Sequence, residues 1–193
     1  MDFDDVVTRR RMVRRYRSDP VPREVIERIV RAARRAPSAG FSQGQSFVIV
    51  TDPDVRRAIA DLAGEAGYRE AGFDPWVSTA PVLVVLCVSE LAYRQRYAEP
   101  DKAASDALST VPYWYLDAGC SLMLLLLAAG NEGLGAGFLG AHRLAGLAGM
   151  LGLPSHVRPV GLVTIGHPLP DRRSGSLRRG WRPEAGVIRW EHW

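Results

Sequence analysis

The sequence predicts one domain of mixed helix and strand, arranged around a single buried helix. Three observations carry this. Residues 111–130, VPYWYLDAGCSLMLLLLAAG, are apolar on nearly every side, with no charge over the thirteen residues 118–130. Segments 47–50, 82–88 and 159–166 are short, apolar and rich in β-branched residues, the pattern of strands buried on both faces. Amphipathic runs with helix-start signals lie between them. A helix apolar all round must be enclosed by protein or by lipid. A membrane span takes about 20 apolar residues and Asp117 interrupts this run, so protein is the expected cover. A chain of 193 residues cannot readily surround such a helix alone, which points to a second subunit.

Taken in order, residues 2–8 read as a short helix with acidic residues at its start, where the macrodipole favours them. The arginines at 9, 10, 11, 14 and 15 follow directly. If the helix continues through them, Arg10 and Arg14 share a face and form a candidate phosphate clamp. Pro22 opens a second helix whose buried stripe is Val25, Ile26, Ile29, Val30 and Ala33, and Pro37 ends it. Residues 38–45 form a small polar loop with one aromatic, Phe41, suited to close approach of a ligand. Strand 47–50 leads to a helix capped at Asp52 or Thr51, with Ile59, Leu62 and Ala66 inward. Residues 67–79 lack a period and read as surface loop; 82–88 is a buried strand; 90–110 reads as a lid.

Beyond the central helix, Gly135, Gly137 and Gly140 satisfy GxGxxG, but a helix precedes them and Val160 stands where the dinucleotide fingerprint needs an acid. A glycine-rich strand against which a flat ligand lies is the better reading. Residues 142–153 read as a short helix with Leu144, Leu147 and Leu151 inward, and 159–166 as the fourth strand. An irregular arm, residues 168–183, carries Arg172, Arg173, Arg178, Arg179 and Arg182. The alternating residues 187–193 then predict a strand that seeks another chain's sheet.

Composition narrows the function. The apolar fraction of 47% is that of a globular protein, and no charged-then-apolar leader follows Met1, so a cytoplasmic chain with no membrane partner is expected. Cys87 and Cys120 sit in apolar runs without a CxxC pair, so both are expected as reduced thiols. The four histidines show no metal-ligand spacing. Only one of 25 basic residues, Lys102, is lysine. Arginine forks onto phosphate oxygens. The arginines are scattered and no nucleic-acid motif accompanies them, so an anionic small ligand is the better match than DNA or RNA.

Three blocks together resemble the FMN-dependent nitroreductase family. They are Arg10-Arg11-Met12-Val13-Arg14-Arg15-Tyr16 with Asp19-Pro20-Val21; Ala36-Pro37-Ser38-Ala39-Gly40-Phe41-Ser42-Gln43 with its following strand; and residues 133–140 with Leu151-Gly152-Leu153-Pro154 and Ile165-Gly166-His167-Pro168. The resemblance implies an α+β fold over residues 1–193, with a mixed β-sheet flanked by helices. It further implies an intertwined homodimer that exchanges C-terminal strands through the arm and tail 168–193, with FMN at the interface. By position, Arg10 and Arg182 would hold the FMN phosphate, with Arg179 nearby. Arg11 and Met12 would line the ribityl chain, and Arg14 would meet the pyrimidine edge. Ser38, Ala39 and Phe41 would come from the other subunit, and Gly140 and Ala141 would offer N–H groups near the reactive edge. Met12 replaces a usual serine and Phe41 a common asparagine, the latter as in the branch that fragments flavin. The activity implied is hydride transfer from NAD(P)H to a nitroaromatic, quinone or related acceptor. The alternatives are a specialised flavin reaction (fragmentation or deazaflavin-linked reduction) and flavin binding without turnover.

Overall fold

The computed structural model describes residues 2–172 and 174–193. Four strands form one sheet in the order β1-β2-β4-β3: β1 is Gln45–Val50, β2 Val82–Val88, β3 Gly135–Gly140 and β4 Arg158–Gly166. Every neighbouring pair is antiparallel. The parallel component of the expected mixed sheet is a bridge from Met12 to Ala136 on the outer edge of β3. The α+β class holds. β2 is buried at all seven positions, as its unbroken apolar run requires, whereas β1, at the sheet's edge, buries only Val50 fully.

Among the described residues, eight α-helices surround the sheet: α1 Phe3–Arg9, α2 Arg23–Ala33, α3 Pro53–Leu62, α4 Glu65–Glu70, α5 Glu90–Tyr97, α6 Ala107–Thr110, α7 Tyr113–Asn131 and α8 Leu147–Met150. Asp52 caps α3, its Oδ1 accepting from the Asp54 and Val55 N–H groups. The third helix stops at Leu62 because Gly64 turns into the left-handed region. Ala66, expected inward, is therefore exposed on α4, and Glu65 is the buried residue there. The expected helix over 142–153 is two pieces, a 3-10 turn at Ala141–Arg143 and α8, separated by Gly146 with φ 90°. Leu144 and Leu147 are buried as expected.

The central helix α7 packs against α1, α2 and all four strands. By length and composition alone it is also apolar enough to cross a membrane; here Trp114, Asp117, Ala118, Ser121, Leu125, Leu126 and Ala129 bury one side of it in the core. The expectation of burial on every side is not met within one chain. Leu116 and Met123 are about half exposed, and with Gly119 and Cys120 they follow helical spacing along an uncovered apolar stripe. Residues 187–193 form no strand. In a single chain that segment has no sheet edge beside it, and Trp190 and Trp193 are almost wholly exposed. Residues 90–110, read as a lid, fold as α5, a turn and α6.

Candidate functional site

The arginine-rich segment after α1 is extended, which corrects the reading of Arg10 and Arg14 as neighbours on a helix. The helix ends at Arg9, and the Arg10 N–H closes it on the Val6 carbonyl. Tertiary pairing is what wins over helix propensity here. The Val13 N–H donates to the Ala136 carbonyl at 2.9 Å, binding the segment to β3. On its other side the arm closes in: the Arg17 N–H donates to the His167 carbonyl and the Leu169 N–H to the Arg15 carbonyl.

Glycine makes this approach possible. A Cβ on Gly137 would stand 2.4 Å from the Val13 carbonyl oxygen and 3.0 Å from the Trp76 ring. The space beside the glycine-rich strand, expected to receive a ligand, is filled at Gly135 and Gly137 by the chain's own Val13, Pro168 and Trp76.

Arg14 is the best-positioned cation. Its backbone N–H donates to Asp171 Oδ2 at 2.7 Å, and its guanidinium lies 5.5 Å above the centre of the buried Trp76 ring. Trp76 is fixed in turn by Glu65, whose Oε1 accepts from the N–H groups of Trp76 at 2.7 Å and Val77 at 2.6 Å. Three small cavities follow this edge of the sheet. One of about 230 Å³ is lined by Arg10, Arg11 and Gly133 through Ala136. One of about 280 Å³ lies among Arg14, Phe73, Asp171 and Arg172. One of about 130 Å³ lies among Arg14, Trp76, Leu139 and Arg143. None reaches the roughly 300 Å³ at which ligand pockets usually begin.

The loop 38–43 lies elsewhere. Gly40, Phe41 and Gln43 have φ of 61°, 57° and 49°, unfavourable for the last two. Two hydrogen bonds hold the loop: the Ala39 N–H donates to Asp117 Oδ2 at 2.8 Å and Arg96 Nε donates to the Gly40 carbonyl at 2.8 Å. Buried Asp117 also accepts from the Tyr93 hydroxyl at 2.7 Å. Burial first, and that hydrogen bond second, push the Tyr93 hydroxyl well above its ordinary range. The result is Phe41 held outward, three-quarters exposed.

Strand register measures the separation. Gln45, beside the loop, pairs with Val88, whereas Ala136, beside Met12, is level with Val82 through Ile165. Six residues along β2 and three strand spacings put the two places on diagonally opposite corners, about 20 Å along and about 14 Å across. One chain therefore places Arg10, Arg11, Met12 and Arg14 beside the start of β3, diagonally opposite Ser38, Ala39 and Phe41. Gly140 and Ala141 at the other end of β3, level with Leu86 through Gly161, share the loop's end of the sheet but lie three strands across from it.

The model of the Nitroreductase family matches residues 7–167. The chain belongs to the nitroreductase family. Among relatives of this nitroreductase-family chain, an FMN reductase (NAD(P)H) from Bacillus subtilis is 31% identical over 179 residues, 89% of this chain and 68% of that protein. A protein called NADH dehydrogenase from Thermus thermophilus is 31% identical over 196 residues, covering 89% of each. The solved structure of the hypothetical oxidoreductase YcnD from Bacillus subtilis superposes with TM-score 0.77 at 27% identity, over 100% of this chain and 75% of that one.

Arg179 and Arg182 are not brought to Arg10 in one chain. Neither lines its cavity; Arg182 instead donates to the Gly186 carbonyl at 2.7 Å within the tail. Arg173 lies outside the described residues. Sequence reasoning missed Trp76, Glu65 and Asp171, which hold Arg14, and Arg96, which holds the loop. A tryptophan in an otherwise polar stretch was the one available signal for the first. No group of three or more metal-ligating side chains occurs among the described residues.

Proposed function

We propose that this chain forms a homodimeric FMN-dependent oxidoreductase that moves a hydride equivalent from NAD(P)H to an electron-poor acceptor such as a nitroaromatic or quinone. One observation carries the dimeric site: the segment Arg10 to Arg14 and the loop Ser38 to Phe41 lie at opposite corners of one chain's sheet, too far apart for one flavin ring. A second copy brings the loop of one subunit to the β3 edge of the other. The uncovered stripe at Leu116, Gly119, Cys120 and Met123 gives the copies an apolar surface to share. The tail beyond Pro183 finds in the partner's sheet the neighbour it lacks alone. The names FMN reductase and NADH dehydrogenase borne by relatives support the chemistry.

The donor set fits FMN. The side chains of Arg10 and Arg11 form no ion pair among the described residues, while Arg9 and Arg15 are neutralised by Asp5 and Asp74. Unpaired guanidinium groups suit a phosphate dianion. Arg10, with Arg182 and Arg179 from the arm in the assembled dimer, would take the phosphate. Arg11 and Met12 would follow the ribityl chain through their backbone, and Ser38, Ala39 and Phe41 of the second copy would cover the ring. Gly140 and Ala141 would present backbone N–H groups at the reactive edge. Arg14, stacked on Trp76, would place a fixed positive charge at the pyrimidine edge, favouring electron uptake. When bound, FMN supplies the hydride chemistry; the protein supplies position, charge and exclusion of water.

The test is a visible absorption spectrum of the purified protein. A yellow protein that oxidises NADPH with a nitroaromatic or quinone meets the proposal, and Arg10→Ala with Arg182→Ala bleaches it. Full flavin content in that double variant refutes the phosphate assignment.

A further inference from the structure

The phosphate-binding arginines of the proposed site leave another basic surface unused. A groove of about 690 Å³ lies beside the loop 38–43, lined by Arg31, Arg34 and Arg35 with Phe41, Gln43 and Phe47. Its volume falls within the roughly 300–1,000 Å³ range of small-molecule sites. No acidic side chain lines it. The three arginine side chains form no ion pair among the described residues, although most arginines along α2 and α5 do, as Arg23, Arg28, Arg94 and Arg96 illustrate. Cations near the C-terminus of α2 offset its dipole, which accounts for Arg31 and Arg34 standing there. It does not account for the aromatic rim. Phe41 and Gln43 keep left-handed backbone angles, a conformation that costs on the order of 1–3 kcal/mol per residue and concentrates at ligand clamps.

We infer that this groove receives the phosphates of the nicotinamide donor, gripped by Arg31, Arg34 and Arg35 with the adenine ring against Phe41. The inference rests on the flavin reading above, because Phe41 and Gln43 belong both to the groove and to the loop assigned to the ring. A donor anchored here has its charged end outside the flavin's own phosphate contacts. Planar guanidinium forks suit phosphate oxygens, and three of them suit a ligand carrying two phosphate groups.

The experiment uses the FMN-loaded protein and the double variant Arg34→Ala/Arg35→Ala. Steady-state KM is measured for NADPH and NADH, and adenosine 2′,5′-bisphosphate and adenosine 5′-diphosphate are titrated by calorimetry. KM rises at least tenfold and nucleotide binding weakens at least tenfold, while flavin absorbance per subunit stays at the wild-type level. A larger loss for NADPH and the 2′,5′-bisphosphate assigns the grip to the 2′-phosphate; equal losses assign it to the pyrophosphate. Arg34→Lys/Arg35→Lys restores part of the affinity. The inference is overturned if KM and nucleotide affinity stay within twofold of wild type, if the variant loses its flavin, or if only its melting temperature changes. A colourless wild-type protein whose nucleotide binding still depends on Arg34 and Arg35 sinks the flavin reading and keeps the groove.

Discussion

Replacing Gly137 by alanine tests how the arginine-rich segment is held. The new Cβ would lie 2.4 Å from the Val13 carbonyl oxygen, where ordinary contact begins near 3.4 Å, so backbone must retreat by about 1 Å. Thr164 Oγ1 at 2.9 Å and Trp76 at 3.0 Å block escape in other directions. Moving Val13 that far breaks its 2.9 Å hydrogen bond to Ala136. Overpacking of this kind costs about 1–3 kcal/mol, and the lost bond about 0.5–1.5 kcal/mol more. The sum of about 1.5–4.5 kcal/mol lowers the melting temperature by roughly 3–18 °C in a domain of this size. Met12 and Arg14 shift with Val13, so flavin absorbance per subunit falls as well. Gly149→Ala is the control: its Cβ meets nothing within 4 Å. Gly137→Ala with wild-type melting and full flavin would refute the account of this edge.

Other consequences follow from the same geometry. Asp117→Ala leaves the Ala39 N–H and the Tyr93 hydroxyl without their acceptor; two orphaned groups cost about 2–6 kcal/mol in urea unfolding, and a loss under 1 kcal/mol contradicts this. Stability falls at alkaline pH. Burial pushes the Cys87 thiol from 9.0 to about 11, and burial also raises the Tyr16 and Tyr93 hydroxyls. These groups are protonated in both states below pH 9, so their contribution is whole there. The unfolded chain loses the thiol proton first, so stability declines as pH climbs from 9 through 11. Melting temperatures unchanged between pH 8 and 10.5 would oppose it. Leu116→Glu with Met123→Glu puts charge on the exposed stripe of α7 and converts the proposed dimer to monomer by light scattering, with loss of flavin; a stable yellow dimer of the double variant places the interface elsewhere.

Much of the fold was legible because its signals are local. Buried strands β2 and β4 read directly from unbroken apolar runs, and Pro22 with the stripe Ile26, Ile29 and Ala33 marks α2. The site was legible in pieces. Arg10 to Arg14 and residues 38–41 could be singled out, but the sequence favours continuing α1 through the arginines. Only pairing with β3, more than a hundred residues away, draws them out straight. Long-range contacts leave no period to read, which is why Glu65 holding Trp76 under Arg14 was missed. The glycines of β3 announce close approach without naming what approaches, and here it is the chain itself. The tail at 187–193 alternates like a strand but needs an edge that one copy does not offer it.

In the proposed assembly, two chains complete each flavin site. Light scattering coupled to absorbance detection, on the protein purified with added FMN, tests it in one measurement. The expected mass is twice the 21.2 kDa of one chain, with one flavin per subunit eluting under the same peak. A monomer that carries a full complement of flavin would contradict it.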